Sequence, residues 1–149
     1  VEKNVPPQNS NELDQSELLK QFAGDWEISV ARDTALVISI KSFRTGKGFN
    51  VSDKLVSNGK ILVEGTGFWA YDDAIKKICL SMLRTDGEVI QNLGEFTSAS
   101  TYEYANVNNS PSYTGVTKCL FEFTSPNEIK GKFIFNGQEF IQTMKRVKN

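Results

Sequence analysis

Three dipeptides, Asn58-Gly59, Asp86-Gly87 and Asn136-Gly137, punctuate runs of alternating apolar and polar residues. Asn-Gly and Asp-Gly tolerate the positive φ of a tight hairpin turn, so each pair is expected to join two antiparallel neighbours. Alternation with period two buries one face of an extended chain and wets the other, the pattern of a strand in an antiparallel sheet. The pattern predicts strands over 25–33, 35–44, 49–57, 60–71, 75–84, 88–97, 100–107, 114–125, 128–136 and 138–147. Ten short strands with turn signals every roughly 8–14 residues favour an all-β, up-and-down antiparallel barrel over βαβ units. Closure of the ladder also removes the two edges that an open sheet would expose.

One helical segment precedes the strands. Residues 12–23 place Leu18, Leu19, Phe22 and Ala23 on one face, with acidic residues early and Lys20 late, which suits the helix dipole. Gly24 ends it, since glycine accepts a left-handed conformation without steric cost. Trp26 then opens the first strand, with Trp26, Ile28 and Val30 facing one way and Glu27, Ser29 and Ala31 the other. The expectation is a short N-terminal helix that closes one end of a barrel. Glycines inside a strand mark a bend, bulge or close approach, and Gly65 and Gly67 sit in the fourth. The longest loop is expected at Asn106–Tyr113.

Composition narrows the chemistry. The length suits one domain, 12–149, behind a polar, proline-bearing linker at 1–11. A chain cleaved after export would begin like this, and so would a trimmed cytoplasmic one; both stay open. With 17 basic and 18 acidic residues intermixed there is no electrostatic footprint for nucleic acid. Apolar runs such as Ala35-Leu-Val-Ile38 are too short for a membrane-spanning helix. The chain has no histidine, which removes the usual general base, the commonest zinc and haem ligand, and every Ser-His or Cys-His nucleophile. No metal or other cofactor is expected. Cys79 and Cys119 lie in apolar strand-like runs and read as buried free thiols rather than a disulfide.

Several short motifs carry a family resemblance. Phe22-Ala-Gly-Asp-Trp26 resembles the calycin G-x-W, Gly67-Phe-Trp-Ala-Tyr-Asp72 and Gly94-Glu95-Phe96 fit in order and spacing, and Asn136-Gly137…Met144-Lys-Arg146 resembles the end of a calycin last strand. The chain is similar to lipocalin-like (calycin) barrels over about residues 17–147, and within them to a bacterial family of ten-stranded barrels catalogued as a domain of unknown function. The resemblance implies that Gly24, Trp26 and Arg146 form a structural signature, the guanidinium from the last strand lying over the indole of the first. It also implies an enclosed small apolar ligand. Nitrobindin-type relatives hold haem through a histidine that this sequence lacks.

Phasing the strands on Trp26 turns Ile28, Val30, Ile38, Ile40, Trp69, Tyr71, Phe121, Phe123, Phe133 and Phe135 inward, as a ligand-lined lumen or as simple core. Tyr71, Tyr102, Tyr104, Glu95, Arg44 and Arg84 are polar candidates for orienting a ligand. Arg44 and Arg84 end their strands, where each is either solvated or meets a carboxylate head group at the mouth. A packed barrel serving as an interaction module is the alternative to a ligand carrier. An isomerase or cyclase acting on a lipid-like substrate is a further one, and would need Glu64 and Glu95 facing inward as an acid–base pair. A monomer or weak dimer is expected.

Overall fold

The computed structural model describes residues 12–107 and 116–148. The expected linker and most of the 106–113 loop lie outside them. The protein is a closed antiparallel barrel of ten strands: β1 (Gly24–Ala31), β2 (Thr34–Ser42), β3 (Phe49–Ser57), β4 (Lys60–Asp72), β5 (Lys77–Arg84), β6 (Val89–Phe96), β7 (Thr101–Asn106), β8 (Val116–Ser125), β9 (Glu128–Phe135) and β10 (Gln138–Arg146). Each strand pairs with its neighbours in sequence, and β1 meets β10 through Trp26 opposite Arg146 and Ile28 opposite Met144.

The turns follow their sequence chemistry in two of three cases. Asn58 and Gly59 (φ 49° and 73°) and Asn136 and Gly137 (φ 48° and 75°) hold positive φ at both central positions, as a two-residue hairpin requires. Asp86-Gly87 differs: only Gly87 is positive (φ 87°), and the loop is longer. Gly87 N–H donates to the Arg84 carbonyl (3.0 Å) while Arg84 N–H donates to the Glu88 carbonyl (2.9 Å). That extra length brings Glu88 opposite Arg84.

The helix is shorter than the predicted 12–23. Helix α1 (Gln15–Leu19) starts where the Asp14 side chain accepts from Glu17 N–H (3.0 Å), and Lys20–Phe22 continue as a tighter 3-10 turn. Ala23 is already extended (ψ 134°), so Gly24 does not end the helix as a left-handed cap. Its φ of +126° and its missing side chain serve the seam instead, because a Cβ there would collide with the Arg146 guanidinium.

The segment plugs one end of the barrel. Phe22, fully buried, sits among Trp69 (centroids 4.6 Å apart), Phe123 (4.9 Å), Tyr102 (5.5 Å) and Phe121 (5.9 Å), in tilted and edge-on contacts that aromatic quadrupoles favour. Beneath it Trp26 is fully buried, its indole N–H donating to the Phe22 carbonyl (2.8 Å) and its ring lying 4.2 Å from the Arg146 guanidinium carbon. Among the described residues, no helix is long and apolar enough to cross a membrane.

Two outcomes check this packing. Trp26→Ala is expected to lower unfolding free energy by about 3–5 kcal/mol, measured by urea titration, as for other large buried aromatics. Both cysteines are free; Cys79 is half-buried, whereas Cys119 is fully buried and its thiol is pushed up to about 12 by burial. A thiol reagent at about pH 8 should therefore modify Cys79 in the native protein and reach Cys119 only on unfolding, since the thiolate is the reactive form; peptide mass spectrometry locates the adduct.

Candidate functional site

Above the aromatic plug the barrel is hollow. A cavity of about 430 Å³ extends from Phe22 and Trp69 at its floor toward the far end, where two of its lining residues, Val30 and Phe140, are half exposed. The strand alternation that makes the sheet also makes the wall: β1 gives Ile28 and Val30, β2 gives Leu36, Ile38 and Ile40, and β8 and β9 give Phe121, Phe133 and Phe135.

Of the ten residues phased inward and the two strand-end arginines, the cavity brings together Ile28, Val30, Ile38, Ile40, Trp69, Phe121, Phe133, Phe135 and Arg84. The other three lie elsewhere. Tyr71 is half-buried and packs against the core beyond the cavity floor. Phe123 packs under the plug, against Phe22 and Trp26 (6.4 Å). Arg44 is exposed in the turn after β2, at the plugged end, so it does not stand at a mouth. Tyr102 and Tyr104, considered as polar candidates, do line the cavity, and burial raises both phenols above their ordinary value.

Arg84 is not a solvated surface arginine. It is 7 % exposed, and its Nη1 stands 3.6 Å from Oδ2 of Asp53, itself 7 % exposed. The register explains the meeting. Asp53 on β3 lies opposite Gly65 on β4, and Gly65 lies opposite Arg84 on β5, so a glycine separates two inward side chains. A Cβ on Gly65 would fall 2.7 Å from Asp53 Oδ1 and 3.1 Å from Arg84 Cγ. Gly65 is thus the gap through which the ion pair forms. Burial pushes the Asp53 carboxyl up, and Arg84 pulls it part of the way back. Glu88, opposite Arg84 across the hairpin, is raised by burial and by Asp86, with Arg84 again opposing.

Asn92 on β6 is the other deeply buried polar residue of the wall (5 % exposed), beside Asn106 of β7 in register. Gln142 of β10 completes the polar set. Asp53 Oδ1 and Asn92 Oδ1 are both buried without a hydrogen-bond partner. Glu64 is exposed, and Glu95 points outward to pair with Lys77 (2.7 Å), so the acid–base pair considered from sequence is not assembled. Among the described residues, no group of three or more cysteine, aspartate or glutamate side chains converges as a metal site would need.

Sequence phasing missed Asp53 and Asn92 because the third and sixth strands were not phased. The signal was present: Phe49, Val51, Asp53 and Leu55 alternate inward with one charge among them, and Asn92 interrupts Ile90, Gly94 and Phe96 in the same way. No protein-family model matches the chain, and no curated protein sequence matches it.

The pair makes its own forecast. Removing one partner strands a buried charge, so Arg84→Met alone should cost about 3–5 kcal/mol. Replacing both, Asp53→Leu with Arg84→Met, should cost clearly less, because a buried ion pair is often no better than an apolar filling. Urea unfolding of the single and double variants compares the two.

Proposed function

We propose that the protein is a lipocalin-like barrel that takes up a small hydrophobic or amphipathic molecule in its lumen. The observation that carries this reading is the cavity: about 430 Å³, walled by aliphatic and aromatic side chains, with two half-exposed residues, Val30 and Phe140, in its lining. That volume falls in the roughly 300–1,000 Å³ range of small-molecule sites, which are likewise mostly apolar with a few placed polar groups. The cavity favours ligand carriage over a filled barrel that acts through its outer surface. The calycin-like motifs support the same reading, since the Trp26–Arg146 pairing they imply is present at the seam. An acid–base enzyme has less support, because Glu64 and Glu95 do not face the lumen.

The two tryptophans make a test. Trp69 lines the cavity and Trp26 does not. An uncharged, environment-sensitive dye should quench tryptophan emission saturably, and Trp69→Phe should remove most of that quenching while the dye's own emission still reports binding. Absence of saturable dye binding would count against the lumen as a site.

A further inference from the structure

The cavity wall carries polar atoms that the protein leaves unfilled, and two of opposite hydrogen-bonding sense stand on one rung of the sheet. Resting on the lumen reading, we infer that the ligand lies head-down: an apolar molecule whose leading group both accepts and donates a hydrogen bond, a hydroxyl or a primary amide, seated between the Trp69 indole N–H and the Asn92 side-chain oxygen.

Register sets the place. Trp69 on β4 lies opposite Leu80 on β5, and Leu80 lies opposite Asn92 on β6, so Trp69 and Asn92 share a rung with one strand between them. Neighbouring strands are about 4.8 Å apart, which separates the two backbones by about 10 Å, a span that an indole, a carboxamide and one small group between them fill. All three residues line the cavity, with Trp69 at its floor. Trp69 and Asn92 are each more than nine-tenths buried, and neither the indole N–H of the one nor Oδ1 of the other has a hydrogen-bond partner.

Hydrogen-bonding sense sets the chemistry. An indole N–H only donates and an amide oxygen only accepts, so an ether or ketone oxygen would fill the first alone, whereas a hydroxyl or a primary amide fills both. A buried polar atom left unfilled costs the desolvation of that group, which favours the ligand that completes both bonds. The surroundings are neutral. The Tyr102 ring is 5.7 Å from that of Trp69, and a Cβ on Gly94, the next inward residue of β6 after Asn92, would collide with the Tyr102 hydroxyl. Burial keeps this phenol protonated, and a phenol that accepted from Trp69 would have its own O–H left to give, so the floor still presents one donor and one acceptor. The charged pair lies elsewhere: Asp53 and Arg84 flank Gly65, four residues along β4 from Trp69, and face each other. On the next inward rung toward the far end, Met82 lies opposite Ile90, an apolar surface for the body of the molecule.

Two probes with one chain length test this: decanol, which donates and accepts, and decyl methyl ether, which only accepts. Each competes against the uncharged dye, and the indole N–H resonances of the two tryptophans, assigned by the loss of one in Trp69→Phe, report where the head sits. Either probe is expected to move the Trp69 resonance downfield and to leave that of Trp26, whose N–H is already bonded to the Phe22 carbonyl, in place. Asn92→Leu, which keeps the side-chain volume and removes the acceptor, should weaken decanol about five- to tenfold and leave the ether unchanged or tighter. A Trp69 resonance that saturating decanol does not move downfield overturns the inference while leaving a binding lumen, and it is read on the native protein, so it decides even where Asn92→Leu fails to fold. An Asn92→Leu loss common to both probes overturns it too, as does decanol binding that the substitution does not weaken, the sign that water fills the acceptor. If the dye and both probes fail, the lumen reading falls and this inference with it.

Discussion

Arg146 is the side chain on which closure of the barrel turns. Every other strand pairing joins elements adjacent in sequence, whereas the β1–β10 seam brings together the two ends of the ladder. That contact carries the largest loop-closure entropy in the fold and needs an attraction of its own. The guanidinium supplies it by lying over Trp26 while its N–H groups donate to the carbonyls of Ala23, Gln21 (3.1 Å) and Pro126 (3.1 and 3.2 Å). Helix, first strand, last strand and the β8–β9 turn are held by one planar group. A lysine has no such plane to stack and no fixed fork to distribute.

The seam and the plug make one end of the barrel dense, which allows the other end to be hollow. Cores are normally packed like organic crystals, and a void loses the dispersion its lining would otherwise gain. Here the aromatic stack on Phe22 and the continuous ladder hold the architecture, and the lumen above Trp69 is left unfilled. A charge pair is then set in that unfilled part, where desolvation makes it costly and apolar residues would serve stability as well or better. Departures of this kind from what stability alone favours concentrate where a protein binds or acts.

How much of this could be read in the sequence depends on whether the signal was local. Turn dipeptides and alternation are local, so the ten strands and their antiparallel order were legible, as was the inward face of β1, β2 and β4. The Asp86-Gly87 pair joins β5 to β6 as expected, though a two-residue pattern did not reveal that its loop is longer than a two-residue hairpin, and the helix is shorter than its apolar face suggested because Lys20–Phe22 tighten into a 3-10 turn. Arg44 and Arg84 look alike in sequence, each the last residue of a predicted strand. Only tertiary structure places one in solvent at the plugged end and the other in the lumen. Tyr71 and Phe123 are on inward faces, but the tilt of the strands carries both past the cavity floor into the packed end.

The sharpest case is Gly65. As a local signal it reads as a corner residue, one of two glycines that let β4 curve and approach its neighbours. Its larger consequence is not local: by lacking a side chain between Asp53 and Arg84, it joins two residues 31 positions apart into one electrostatic unit. A lone arginine in an apolar lumen would be a receptor for anions. The same arginine matched across a glycine is neutralised within its own protein. The character of this cavity is therefore set less by which polar residues the chain contains than by the register that decides which of them neutralise one another.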